Sequence, residues 1–210
     1  MRNSLLIILV FIWPNKTEAQ ASAGFEQYFY VNKTGFPVVV PVIYFQNEHN
    51  WFVQSDINYE QLHTFSICIG KTFSEDDEFS YSVTPMIGAV LGSLKGGVLA
   101  LNTEMRYKNI LFSSQSHYVF SLKNVGSDLL NNWMELGYRV IGHTFIGVSM
   151  QTIVFNAINM QLQTGVYIRF SVKKWNFPIY CFNTISDNRH LILGVTREFS
   201  LQVKKQVLYN

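Results

Sequence analysis

Eight charged side chains recur in a pattern that could do chemistry: Asp56, Glu60, Glu104, Arg106, Glu135, Arg139, Arg169 and Glu198. Each sits in the polar row of a segment that alternates between apolar and polar residues, so an extended chain turns all eight to one side. Carboxylates and guanidinium groups enclosed together on neighbouring strands are expected to pair, because unpaired charge away from water is costly. Such a network either plugs and stiffens the enclosed space or lines a polar conduit for small solutes. Nucleophilic catalysis would need a base beside a hydroxyl, as a His-x-Ser step on one strand face supplies. None of His49, His63, His117, His143 or His190 has Ser two positions later. His117 shares its row with Ser113 and Gln115, which suits a hydrogen-bonded interior histidine. The Glu75-Asp76-Asp77-Glu78 run reads as a solvated turn. With no His-x-x-x-His and no paired cysteines, neither a metal nor any other cofactor is expected. Cys68 and Cys181 lie too far apart in strand order to bridge, and read as two buried thiols.

The elements that must position these groups are strands. From Trp51 to Glu60, alternate residues Trp51, Val53, Ser55, Ile57 and Tyr59 oppose Phe52, Gln54, Asp56, Asn58 and Glu60. The next segment sets Phe65, Ile67, Ile69 and Phe73 against Thr64, Ser66, Cys68, Gly70 and Thr72, making a hairpin with one oily side. The same rhythm predicts strands over 25–32, 37–46, 51–60, 62–73, 78–90, 96–107, 109–122, 131–141, 143–153, 159–172, 174–184 and 189–201. About twelve strands, with ten as the alternative, define an all-β, closed, antiparallel up-and-down barrel. Segment 37–46 is apolar on both faces and 174–184 is weakly patterned. Pro41, Pro85 and Pro178 are expected at strand ends or bulges. Turns at 107–109, 141–143 and 173–174 are tight while 122–131 and 184–189 are longer, so one rim carries short turns and the other long loops.

Composition supports a membrane setting. Of 210 residues 48% are hydrophobic and 14% charged, against about 25% charged in an ordinary soluble domain. The net charge of +2 is too small for a nucleic-acid surface, so no nucleic-acid partner is expected. Residues 1–21 read as a cleaved export signal, with Arg2 ahead of an apolar run from Leu5 to Trp13 that is too short to span a bilayer. Residues 22–210 then form one domain. The oily rows hold more Leu, Ile, Val, Phe and Tyr than one barrel interior can pack, but they suit an outer belt. Trp51, Tyr59, Phe79, Tyr107, Tyr138, Trp175 and Phe199 fall near strand ends, where interfacial aromatic girdles form. Phe52, Trp133 and Tyr167 are bulky members of the polar rows that could constrict the interior.

Asn58-Tyr59-Glu60, Thr84-Pro85-Met86-Ile87-Gly88, Tyr118-Val119-Phe120 and Trp133-Met134-Glu135-Leu136, with Gly194 and Phe199 in a terminal strand like a barrel-insertion signal, carry a family resemblance. From Phe25 to Leu201 the chain resembles an uncharacterised group of small outer-membrane β-barrel proteins of Gram-negative bacteria. The resemblance implies a location in the outer membrane and contact with its lipid and insertion machinery, with small solutes as further partners, and it implies no activity. The expected function is a non-enzymatic envelope component or small-solute pore. Two alternatives stay open. A membrane-embedded lipid hydrolase requires a nucleophile beside His117 or His63. A secreted soluble barrel for an apolar ligand requires Ile57, Leu101 and Leu136 at the centre and Asp56, Glu104 and Glu135 outside.

Overall fold

The computed structural model describes residues 21–31, 37–122, 128–155, 159–186 and 188–201. The predicted leader apart from Ala21 and the tail beyond Leu201 lie outside the described residues. Strand segments follow in chain order: β1 Ala21–Val31, β2 Val38–Gln46, β3 Trp51–Ile57, β4 Thr64–Lys71, β5 Phe73–Glu75, β6 Phe79–Gly92, β7 Gly96–Tyr107, β8 Ile110–Ser121, β9 Leu129–Ile141, β10 Thr144–Phe155, β11 Asn159–Val172, β12 Trp175–Phe182 and β13 His190–Leu201. β4 and β5 keep one register against β6, with Gly70 opposite Met86 and Phe73 opposite Val83, and part at the level of Pro85, which has no N–H to give. On its other side this strand stays joined to the end of β3 through the break, the Thr72 N–H donating to the Asn50 carbonyl at 2.9 Å. The two segments are therefore one barrel strand, and twelve antiparallel strands close because β1 pairs with both β2 and β13. Closure leaves no edge strand among the described residues.

Every predicted strand is present, and the prolines end none of them. Pro178 sits inside β12 where pairing with β13 lapses between Asn176–Thr196 and Ile179–Leu193. The facing Gly194 makes room there, since a Cβ on it would lie 2.6 Å from the Pro178 ring and 2.9 Å from Tyr28. Ala21 and Leu201 pair at one rim, together with the short turns 47–50, 76–78, 108–109, 142–143 and 173–174. Lys108, Gly142 and Lys173 take positive φ in the two-residue turns, as right-twisted hairpins require. The longer connections 58–63, 122–128 and 183–189 lie on the opposite rim.

Orientation follows from which row meets the outside. Ile57, Leu101 and Leu136 are 44%, 42% and 50% exposed, whereas Asp56 and Glu135 are buried. Ile43, Ile67, Ile87, Val148 and Leu162 extend the exposed apolar surface around the wall, far beyond the few hundred Å² that a soluble monomer leaves uncovered. A 12-residue strand such as β7 is about 40 Å long, and a tilt of about 40° leaves about 30 Å of height, enough for an apolar band of about 25 Å. Six of the seven predicted girdle aromatics, Trp51, Phe79, Tyr107, Tyr138, Trp175 and Phe199, stand on the outer face at the short-turn rim. Cations cover several of them: Lys108 Nζ lies 4.9 Å from the Tyr107 ring, and the Arg197 guanidinium 4.8 Å from Trp175 and 4.5 Å from Phe199. Long basic side chains laid over rings at a rim suit the boundary between oil and water.

Tyr59 is the exception. β3 ends at Ile57, and Asn58 turns the chain with a φ of 60°, so the two-residue alternation stops before Tyr59. The Asn58 side chain fixes the turn, its amide donating to the Val39 carbonyl at 3.0 Å and its oxygen accepting from the His63 N–H at 2.8 Å. Tyr59 and Glu60 thus both enter the barrel.

Candidate functional site

The interior is not uniformly polar. In the half near the long loops, Cys68, Met86, Val90, Val98, Val119 and Leu129 pack into one cluster. Tyr167, Tyr180, Phe182 and Ile192 form another, flanked by Tyr28, Tyr30 and Trp133. This explains the two segments with poor alternation: β2 turns Val38, Val40 and Val42 inward, and β12 turns Tyr180 and Phe182 inward. Gly137 and Gly147 accommodate Tyr167, for a Cβ on Gly137 would lie 2.2 Å from its hydroxyl and one on Gly147 2.8 Å from its ring. Of the two cysteines, Cys68 is buried inside, whereas Cys181 is half-buried on the opposite face of the wall and both are free.

The half near the termini is a charged vestibule. A cavity of about 210 Å³ is bounded by Glu26, Glu104, Glu135, Arg169 and Glu198 among others. It adjoins one of about 310 Å³ that shares Glu26, Tyr44, Glu104, Gln115 and Glu198. At its inner end Glu135 is buried and fully engaged. One carboxylate oxygen accepts from Trp133 Nε1 at 3.0 Å and from the Tyr180 hydroxyl at 2.6 Å, and the other accepts from the Arg169 guanidinium. Arg106 pairs with Glu104 at 3.3 Å along one strand, both about half exposed. Arg139 lies over the Phe145 ring at 5.3 Å and makes no salt bridge among the described residues, and neither does Glu198.

Of the expected pairs of acids and guanidiniums, only two form among the described residues: buried Glu135 with Arg169 across the intervening β10, and exposed Glu104 with Arg106 along one strand. Height is the reason. Arg106, Arg139 and Arg169 all belong to the half near the termini, while Asp56 and Glu60 lie near the long-loop rim, beyond their reach. Glu26, whose carboxylate accepts from the Tyr28 hydroxyl at 2.8 Å, joins the interior acids although sequence reasoning passed over it. In β1 the inward row Glu26, Tyr28, Tyr30 is scarcely more polar than the outward row Phe25, Gln27, Phe29, so composition could not tell the faces apart.

Asp56, Glu60 and His117 meet inside the half near the long loops. Gln54 Nε2 donates to both Asp56 oxygens at 3.0 and 3.1 Å, and the Ser66 hydroxyl donates to one of them at 3.2 Å. Gln54 is itself held by Asn102 Nδ2 at 2.8 Å. His117 Nδ1 lies 3.0 Å from Glu60 Oε1, with both side chains wholly buried. The Tyr59 ring covers the imidazole at 4.8 Å between centroids, and its hydroxyl donates to Gln115 Oε1 at 3.1 Å. Burial pushes the Tyr59 phenol well above its ordinary range, which keeps it a neutral donor. Asn131 Nδ2 pins the Tyr59 carbonyl at 3.1 Å. The partner of His117 is thus a carboxylate, and its second ring nitrogen has no hydrogen-bond partner among the described residues.

A closed barrel of twelve strands with an oily exterior and charged interior has the architecture of the small outer-membrane β-barrels. Solved structures agree on that fold. The KdgM porin is similar over 86% of this chain and 99% of its own, at 11% identity and a TM-score of 0.58. The KdgM porin in complex with disordered oligogalacturonate gives 10% identity, the same coverage and the same score. A third, from work on the in-meso crystallization of membrane proteins, is similar over 90% of this chain and 87% of its own, at 10% identity and a TM-score of 0.54. No protein-family model and no curated protein matches the sequence.

Proposed function

We propose that this chain is a non-enzymatic barrel of a Gram-negative outer membrane, an envelope component whose lumen is occluded at the long-loop end. The observation that carries this reading is the inward turn at Asn58. It seats Tyr59 on His117 and joins the apolar clusters of that half, so side chains from opposite walls meet where a conduit would have to open. Lipid would wrap the outer belt, and export by the leader followed by the outer-membrane insertion machinery would deliver it. His117 is held by Glu60, and no hydroxyl hydrogen-bonds to its ring among the described residues.

The vestibule favours a second reading, a small-solute pore. Its inward charges, Glu26, Glu104, Glu135 and Glu198 against Arg106, Arg139 and Arg169, with Asp56 and Glu60 further in, leave an excess of acid. Such a lumen would repel anions, so an acidic oligosaccharide like the oligogalacturonate held by one similar barrel is not its solute. Planar-bilayer recording of the purified protein separates the two. The occluded barrel gives no step-like current, whereas cation-selective steps would replace the first reading with the second.

A further inference from the structure

We propose that Asp56, Glu60 and His117 form a binding site for one divalent transition-metal ion, with zinc as the expected occupant. One donor atom from each lies within 4.8 Å of the other two, and all three residues are buried. Two carboxylates and a neutral imidazole around a divalent ion sum to zero charge. Without an ion, two acids lie out of water beside one histidine, and no Lys or Arg occupies an inward strand position in that half among the described residues. Burying such a charge excess is costly.

A second observation points the same way. Glu60 Oε2 and His117 Nε2 are buried and have no hydrogen-bond partner among the described residues, so the cluster holds lone pairs that nothing satisfies. The surroundings are built as a metal site's outer shell is: Gln54 and Ser66 orient Asp56, and Asn131 holds the backbone that presents Glu60. His117 and Glu60 are already 3.0 Å apart. Ligands at about 2.0–2.1 Å from a tetrahedral zinc stand about 3.3 Å from one another, so the widest separation must close by about 1.5 Å. One imidazole with two carboxylates selects zinc or manganese over calcium and magnesium, which take oxygen alone. Local spacing hides the site, because His117 lies 57 residues from Glu60 and on another strand. The inference holds whether or not the lumen conducts.

The test uses the full chain folded in detergent micelles, stripped with a chelator and dialysed against zinc chloride. Mass spectrometry of metal content is expected to find about one zinc per chain, and zinc, but not calcium or magnesium, is expected to raise the thermal midpoint. Glu60→Gln and Asp56→Asn remove buried charge at constant shape. Both are expected to fold, to be at least as stable as the parent without metal, and to lose the bound zinc and the zinc-dependent shift. A folded parent that retains no zinc overturns the proposal. So does a Glu60→Gln variant that retains zinc as the parent does, because the ion would then sit on exposed histidines such as His49 or His63.

Discussion

Glu135→Gln should cost more stability than any other single change to an interior charge, by about 3 kcal/mol. Three donors converge on this carboxylate: the Trp133 indole, the Tyr180 hydroxyl and the Arg169 guanidinium. A hydrogen bond to a charged group is worth about 1.5–3 kcal/mol net. The three do not simply add, because the carbonyl of Gln still accepts from two of them. Its amide nitrogen, however, is then forced against the third donor, and the guanidinium loses its counter-charge. Breaking a fully buried pair from one side costs about 3–5 kcal/mol. The Arg169 side chain is 23% exposed and can partly rehydrate, which places the loss at the lower end of that range. Three kcal/mol is a change of more than a hundredfold in the folding equilibrium. Glu104→Gln is the internal comparison: Glu104 is 51% exposed and its pair with Arg106 is worth at most about 1 kcal/mol. Urea unfolding in lipid vesicles, followed by tryptophan fluorescence, measures both, and an Arg169→Met background isolates the coupling. If Glu135→Gln and Glu104→Gln fall within about 0.5 kcal/mol of each other, the buried pair does not stabilise the barrel as its geometry demands.

Three other predictions test separate parts of the fold. Gly137→Ala should destabilise by about 1–3 kcal/mol, because the new Cβ would lie 2.2 Å from the Tyr167 hydroxyl. Adding Tyr167→Phe removes that oxygen, which is buried without a partner, and should recover most of the loss; a double variant as unstable as the single one contradicts the close approach. Leu101→Arg or Leu136→Arg on the outer face should cost about 2–4 kcal/mol in lipid, and unchanged stability would mean that hydrocarbon does not cover those positions. With long loops outward, Ser186→Cys should react with a membrane-impermeant maleimide on intact cells while Asp77→Cys, in a short turn, reacts only after lysis, and the reverse pattern would invert the barrel. The parent's own thiols provide the blank, Cys68 being buried and Cys181 half-buried.

Strand number and orientation were legible because they depend on many residues at once. Rows such as Leu99, Leu101, Met105 against Asn102, Glu104, Arg106 repeat around the wall, and a misjudged pair does not change the sum. Legibility failed where one residue overrides the alternation. Asn58 takes a positive φ, which the two-residue rhythm does not announce although Asn is among the few residues that adopt it readily, and that turn carries Tyr59 from the outer girdle to the interior. It failed again where the inner wall is apolar. Tyr180 and Phe182 point inward because they meet side chains distant in sequence, Trp133 and Tyr28 among them, and Val40 and Val42 are likewise buried on the inner face, contacts that no local pattern encodes. Alternation assigns a residue to a face but says nothing of its height, and pairing needs both. Arg139 and Asp56 share the inner face yet sit at opposite ends, so the guanidinium settles over Phe145 while the carboxylate keeps company with Glu60 and His117. Strand order together with rim position supplies that missing coordinate, placing His117 and Asp56 both in the half near the long loops. A barrel's interior chemistry is thus read by adding a vertical register to the two-residue rhythm, and the acids left without a base at their own level are the positions where a ligand is to be sought.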